Sequence, residues 1–168
     1  DETANEKWNN VESAYQRRLD LIDNLVNTVK GAADFEKSTL TEIIEARAKA
    51  TNVTIDPSKA TPEQLQSFTE AQNGVNSALS KLLVVVENYP TLTATQAYRD
   101  LMSSLEGTEN RINVARVDYN EAIKNYNTRI RKFPANILAS ITGFEKRNGF
   151  TAAEGADKAP KVDFSDNK

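Results

Sequence analysis

The sequence predicts an all-α protein, a long antiparallel up-and-down four-helix bundle. Apolar residues recur at spacings of three and four along most of the chain, which is the pattern of amphipathic helices. Glycine and proline residues separate these stretches, and we find no segment with the pattern of a strand. Helices that each have one apolar face pack together as a bundle, and short connections make neighbours antiparallel.

The first two helical segments meet at Gly31. The first apolar stripe consists of Trp8, Val11, Tyr15, Leu19, Ile22, Leu25, Val26 and Val29. The second consists of Leu40, Ile43, Ile44 and Ala50, and a polar loop over 52–62 follows it. Gly31 can end one helix and begin a turn, or it can kink a single very long helix so that only three helices form. We favour the turn.

Two further helices have clear start or stop signals. Thr61-Pro62-Glu63-Gln64 offers an N-cap, a proline at the first helical position and an acid in the first turn. That helix should end before Pro90, because the residue before a proline avoids the α region. The last long helix should end at Pro134, and 135–141 predicts a short additional helix. The apolar face of the last long helix consists of Ala97, Leu101, Leu105, Thr108, Ile112, Ala115, Tyr119, Ala122, Tyr126, Ile130 and Phe133.

The composition fits one folded domain. Of the 168 residues 39% are apolar and 27% are charged, and we assign 1–151 to the bundle and 152–168 to an extended tail. The net charge is −3 with acids and bases interspersed, so we expect no nucleic-acid partner. The longest apolar run, 82–86, is far below the roughly 20 residues of a membrane-spanning helix.

Cysteine and histidine are both absent from the sequence. Their absence excludes disulfides, zinc–thiolate sites, iron–sulfur clusters and thiol nucleophiles. It also excludes Ser–His triads and the Glu-x-x-His pairs of di-metal bundles. We therefore predict no enzyme, with no catalytic, cofactor-binding or metal-binding residues and no cofactor.

Three blocks of the sequence, 11–46, 79–90 and 105–120 (LEGTENRINVARVDYN), occur in this order, and the last is followed by Tyr126-Asn127 and by 133–136. Together these blocks resemble the LemA family. The ending 155–164 also fits the family. Family members usually have proline where this chain has Asp23, and its absence favours an uninterrupted first helix.

The resemblance implies a bacterial protein with one N-terminal membrane helix just before the region where this chain begins. The membrane is then a partner through that anchor, while the resemblance implies no particular protein partner, no biochemical activity and no side of the membrane for the bundle. The chain starts at Asp1 without such a helix, so we expect it to be the part that follows the anchor.

A polar cluster is the first candidate site. In the up-and-down bundle the first and fourth helices are antiparallel, and counting from their shared end places Arg18 near 106–109. We predict that Arg17 or Arg18 meets Glu106 or Glu109 as an interhelical ion pair that specifies register. A recognition patch for an anionic partner is the alternative. The cluster consists of Arg17, Arg18, Glu106, Glu109, Arg111 and Arg116.

Within this cluster, Glu106 and Glu109 share one helix face but are too few ligands for a hard cation. We expect Glu109 to pair with Arg116 along the helix instead, and Arg111 with neighbouring acids. The aromatic residues Tyr119, Tyr126 and Phe133 recur every seven positions. We expect them to pack in the core with bonded hydroxyls, and a stacking platform for a ligand is the alternative.

The second candidate site is basic and consists of Arg129, Arg131, Lys132, Lys146 and Arg147. Cations at a helix C-terminus offset its dipole. The functional alternative is a membrane-proximal patch. An anchor that enters at Asp1 would place 133–150 near the lipid surface, where lysine and arginine interact with anionic headgroups.

These features predict a non-catalytic binding or scaffolding module that is tethered to a membrane. Such a module should show exposed apolar residues or a groove on one face. A hydrolase that uses carboxylates alone is one alternative, and it needs two acids that converge in a closed pocket. A membrane-surface sensor is the other.

Overall fold

The structure is a computed structural model that describes residues 2–32 and 35–151. That part of the chain forms helices and no strand, which confirms the predicted all-α fold. The predicted tail, 152–168, lies outside the described residues. The helices are α1 (Glu2–Lys30), α2 (Lys37–Thr51), α3 (Pro62–Val86), α4 (Pro90–Thr93), α5 (Gln96–Arg131) and α6 (Ala135–Thr142).

The chain reverses direction at Gly31, where α1 ends. Asp23 lies seven residues before the end of α1, Arg47 lies ten residues after the start of α2, and the two form an ion pair with an Nη2–Oδ2 distance of 2.5 Å. The two helices therefore lie side by side in opposite directions, and the alternative of one long kinked helix is wrong. The first helix is uninterrupted, as expected from Asp23 in place of proline.

Helix α5 runs antiparallel to α1 and completes the bundle. Lys7 faces Asp118 at 3.4 Å, and Arg18 faces Glu109 at 2.9 Å, so residue numbers rise on one helix as they fall on the other. The four long helices thus alternate up and down as predicted. We call the end that contains Gly31 and α4 the turn end, and the end that contains the start of α1 and α6 the α6 end.

The predicted cap of α3 is present. The Thr61 hydroxyl accepts a hydrogen bond from the Gln64 amide at 3.2 Å, and the Gln64 side chain accepts one from the Thr61 amide at 3.0 Å. This reciprocal pair satisfies two amides that a helix start leaves without partners. The short helix over 135–141 is also confirmed, as α6.

The core differs between the two halves of the bundle. The half towards the turn end is mainly aliphatic, with Ile22, Leu25, Ile43 and Leu82 among its most buried members. The half towards the α6 end is built around aromatic rings. The ring centroid of Trp8 lies 5.7 Å from Phe68, 5.2 Å from Tyr119 and 5.7 Å from Phe150. Such tilted and stacked pairs add to the stabilisation from burial alone.

The apolar face of α5 follows the prediction from Leu101 to Tyr119, whereas Ala97 at the start of the predicted face is exposed. Beyond Tyr119 the buried positions are Ile123 and Asn127, Tyr126 is half-buried, and Phe133 is 80% exposed. A straight helix rotates by about 20° for every seven residues, so a strict seven-residue repeat turns away from the partner helix. Phe133 also lies beyond the end of α5 at Arg131, so the prediction that this face extends to Phe133 is wrong.

Candidate functional site

The guanidinium of Arg18 lies at the centre of the polar cluster and is 1% exposed. Its Nη1 donates to Asn76 Oδ1 at 2.6 Å and to Glu109 Oε1 at 2.9 Å. Its Nη2 donates to the Gln72 backbone oxygen at 3.3 Å and to the Gln72 side-chain oxygen. The ring of Tyr15 lies 5.1 Å from the guanidinium carbon. We call Arg18, Gln72, Asn76 and Glu109 the arginine cluster.

The arginine cluster joins α1, α3 and α5 at one level of the bundle. We predicted an ion pair between Arg17 or Arg18 and Glu106 or Glu109, and the structure contains it between Arg18 and Glu109. A buried guanidinium is costly unless acceptors meet its donors, and in this register α3 and α5 supply acceptors to Nη1 and Nη2, while Nε has none among the described residues. The cluster therefore acts through the internal packing of the bundle.

The structure does not bring the six predicted residues of the first site together. Arg17, Glu106 and Arg111 are exposed, and none of them takes part in the four ion pairs of the described residues. Arg116 does not pair with Glu109, so that prediction is wrong. Its Nη1 lies 3.5 Å from the Tyr15 hydroxyl, and its guanidinium carbon lies 4.6 Å from the ring centre of Phe150.

The phenol of Tyr15 is held in its neutral form by this environment. Burial raises the pKa of Tyr15, while the nearby guanidinium groups of Arg116 and Arg18 act in the opposite direction. Burial likewise raises the pKa of Tyr119, which sits in the aromatic half of the core. These hydroxyls therefore act as hydrogen-bonding groups near neutral pH.

Two residues of the predicted polar cluster line an open groove. Arg17 and Arg111 line this groove of about 470 Å³ between α1 and α5, with Ala14, Val114 and Asp118. In the part of the chain that the structure describes, no three acidic residues come together as a metal site would require. Within the same residues, no helix is both long enough and apolar enough to cross a membrane.

An extended segment, residues 144–151, lies along the last turns of α5 and is held there by two asparagines. Asn127 Nδ2 donates to the Arg147 carbonyl at 2.8 Å, and Asn127 Oδ1 accepts from the Arg147 amide at 2.9 Å. Asn120 forms the same pair of bonds with the backbone of Phe150, at 2.9 and 2.8 Å. A Cβ at Gly149 would lie 2.6 Å from Asn120 Oδ1, so glycine permits this close approach.

Our sequence interpretation missed this segment. The one available signal was the seven-residue spacing of Asn120 and Asn127 beside an apolar face. The tyrosines agree better with the prediction, because the Tyr119 and Tyr126 hydroxyls donate to backbone oxygens of Asn148 and Glu145. These bonds fasten the chain after α6 to the bundle.

Arg147 does not belong to an exposed basic patch, and its inclusion in the second site was wrong. Its side chain is buried, Nη1 donates to Asn5 Oδ1 at 2.8 Å, and the guanidinium carbon lies 5.2 Å from the Tyr126 ring centre. The other four members are exposed, and the four ion pairs of residues 2–32 and 35–151 do not involve them. They are Arg129, Arg131, Lys132 and Lys146.

Helix α6 turns its large apolar side chains outwards. Ala139 is buried and Ala135 is half-buried, so small residues face the bundle. Nine large apolar side chains are exposed in the described part of the chain, and five of them fall within 133–144. We call these five the α6 face: Phe133 (80%), Ile137 (50%), Leu138 (64%), Ile141 (75%) and Phe144 (47%).

The α6 face lies in the one basic region of an acidic chain. Residues 122–151 contain six lysines and arginines and one acid, Glu145, for a net charge of +5. Residues 1–121 carry a net charge of −7 by the same count. A grouped apolar surface with positive charge around it is typical of a contact site, whereas single exposed apolar residues are ordinary.

The chain is similar in sequence to magnetosome proteins and to a LemA protein. Magnetosome protein MamQ 2 of Paramagnetospirillum magneticum is 32% identical over 93% of the chain, and magnetosome protein MamQ of Magnetospirillum gryphiswaldense is 30% identical over 93%. The chain spans 64% of the length of each of these MamQ proteins. Protein LemA of Metamycoplasma hominis is 26% identical over 77% of the chain and 55% of its own length.

A family model agrees with the resemblance of the three sequence blocks. The model described as LemA family matches residues 7–164, which includes α1 to α6 almost completely and the extended segment. Because the match covers nearly the whole sequence, the chain belongs to the LemA family.

Proposed function

We propose that this chain is the non-catalytic bundle of a bacterial membrane-anchored protein, and that it is a binding or scaffolding module. In this proposal a membrane segment precedes Asp1, and the α6 face is the contact surface. One observation carries the proposal: the start of α1 and the α6 face lie at the same end of the bundle. A chain held to a bilayer through its N-terminus would present this face to the bilayer or to its neighbours there.

The contacts of the extended segment support this placement. Arg147, three residues after Phe144, bonds Asn5 in the first turns of α1. Asn148 Nδ2 donates to the Ala60 carbonyl in the loop before α3 at 3.0 Å. The start of α1, the 52–61 loop and the chain that follows α6 are therefore joined at one end.

The positions of the acids support a non-catalytic role. A carboxylate hydrolase needs two acids in one closed pocket. Glu109 instead pairs with the buried Arg18, and Asp118 pairs with Lys7 with its side chain 42% exposed. Nine residues of helix separate these two acids, or about 13 Å. Glu106 is exposed.

The relatives support the coarser part of the proposal. Two of the organisms named above carry magnetosome proteins similar to this chain, and a third carries a protein named LemA. All of these organisms are bacteria. Since the chain spans only part of each relative, an N-terminal anchor is compatible with the lengths.

Site-specific photo-crosslinking in the full-length protein tests the contact surface. Benzoylphenylalanine at Leu138 on the α6 face should crosslink to membrane components in intact cells. The matched control is Val84, which is equally exposed at 65% but lies near the turn end. Crosslinks from Leu138 and none from Val84 are expected. Equal crosslinking from the two positions, or none from Leu138, would overturn the proposed contact surface.

A further inference from the structure

We propose that the α6 face docks on an anionic lipid surface, an inference that rests on the proposed function and names the partner of the same site. The starting observation is that α6 exposes its large apolar side chains and buries a small one against the bundle. Ile137, Leu138 and Ile141 lie on one face because residues four apart in a helix are neighbours. That face points away from the bundle, while the small side chain of Ala139 is buried.

The two flanking aromatic residues extend this apolar surface. Phe133 precedes α6 and Phe144 follows it, and both rings are exposed. Both ends of α6 are attached to the bundle. Only residues 132–134 separate its start from α5, and Tyr126 and Asn127 of α5 bond the segment that follows its end. The apolar side chains are therefore presented on a fixed support.

The charges around the face select the chemistry of its partner. Four cations flank it in the sequence on both sides, and among the described residues they form no ion pair. Glu145 is the only acid within 122–151. An apolar surface with cations around it matches the boundary of an anionic bilayer, where apolar side chains enter between headgroups and lysines and arginines meet the phosphates.

Charge complementarity favours lipid over a second copy of this chain. A two-fold contact through the α6 face would bring together two copies of the four exposed cations that flank it. Like charges that face each other in this way oppose association. An anionic surface gains from the same charges, at about fivefold in affinity for each lysine or arginine near it.

Vesicle co-sedimentation of the 168-residue chain is the direct experiment. At low salt the chain should sediment with vesicles of phosphatidylglycerol and phosphatidylcholine, and much less with phosphatidylcholine alone. Replacement of both Leu138 and Ile141 by glutamine should weaken this binding by about tenfold or more, because two apolar side chains that enter the lipid on binding are then lost. The matched control is Val84→Gln with Val117→Gln, which changes two equally exposed residues elsewhere and should leave binding within about twofold.

A charge series separates the electrostatic part. Replacement of Arg129 and Lys146 by glutamine should weaken binding by about 25-fold at low salt and by less at high salt. Replacement of Lys30 and Lys37, exposed cations at the turn end, changes the net charge equally and should have little effect. Equal losses from the two pairs would show attraction to the net charge of the chain and would overturn docking through the α6 face.

The remaining outcomes distinguish this inference from the proposed function. No binding to anionic vesicles at low salt overturns lipid docking. If crosslinks from Leu138 in the full-length protein then lead to a protein, the contact surface stands and its partner is not lipid. Dimers in light scattering that Leu138→Gln with Ile141→Gln abolishes would identify a second copy as the occupant and would also overturn lipid docking.

Discussion

Residues 105–120 contain five charged side chains and lie in the middle of the bundle, whereas residues 133–144 contain none and lie on its surface. In the first stretch, Glu109 and Arg116 face inwards to Arg18, Tyr15 and Phe150. In the second, five large apolar side chains face outwards. Composition alone would have assigned the contact surface to the first stretch and the core to the second.

The difference shows where partners were available inside the fold. Three polar side chains of 105–120 have partners on α1: Glu109 pairs with the buried Arg18, Arg116 contacts the Tyr15 hydroxyl and Asp118 pairs with Lys7. Buried polar groups are stable only with such partners. Helix α6 follows the four long helices, and no helix of residues 2–32 and 35–151 covers its outer face. An apolar surface without an internal partner indicates an external one.

The largest effect that would test this comparison comes from Arg18. Replacement of Arg18 by alanine should lower the free energy of unfolding by about 3 kcal/mol, because Gln72, Asn76 and Glu109 then lose their shared donor. Urea denaturation monitored by circular dichroism measures this change.

The neighbouring Arg17 is the matched control for that experiment. It is exposed and takes part in no ion pair of the described residues, so Arg17→Ala should stay within about 0.5 kcal/mol of the unchanged chain. Equal urea midpoints for the two arginine variants would contradict a stabilising role for the arginine cluster.

The second effect concerns the attachment of the chain after α6. Replacement of Asn127 by alanine removes both hydrogen bonds that its side chain makes to the buried backbone of Arg147, which should cost about 2 kcal/mol. Hydrogen exchange at the Arg147 amide should accelerate to match. Asn125 is exposed two positions earlier, and Asn125→Ala should leave that exchange rate unchanged. Slow exchange in both variants would show that the two bonds to Asn127 do not hold the segment.

The smallest effect on stability is expected on the α6 face. Leu138 and Ile141 are 64% and 75% exposed, so their joint replacement by glutamine should change the free energy of unfolding by no more than about 0.5 kcal/mol. The same urea experiment measures it. A loss of several times that size would mean that another part of the chain or a second copy covers this face in solution.

The sequence determined the helices, the family and one long-range contact. The spacing of apolar residues, with the glycine, proline and capping residues between them, located the four long helices and α6. Counting along antiparallel helices led to the contact between Arg18 and Glu109. Local patterns suffice for these features because a helix satisfies its own backbone and needs only one apolar face.

Only the tertiary structure decided which side chains that face covers. The rotation of the apolar face along α5 buries Asn127, the end of that helix at Arg131 leaves Phe133 exposed, and the return of the extended segment buries Arg147. It also turned Arg116 towards Phe150, thirty-four residues later in the chain, and left the outer side of α6 exposed in the part of the chain that the structure describes. These outcomes depend on contacts between segments far apart in the sequence, so no local pattern could reveal them.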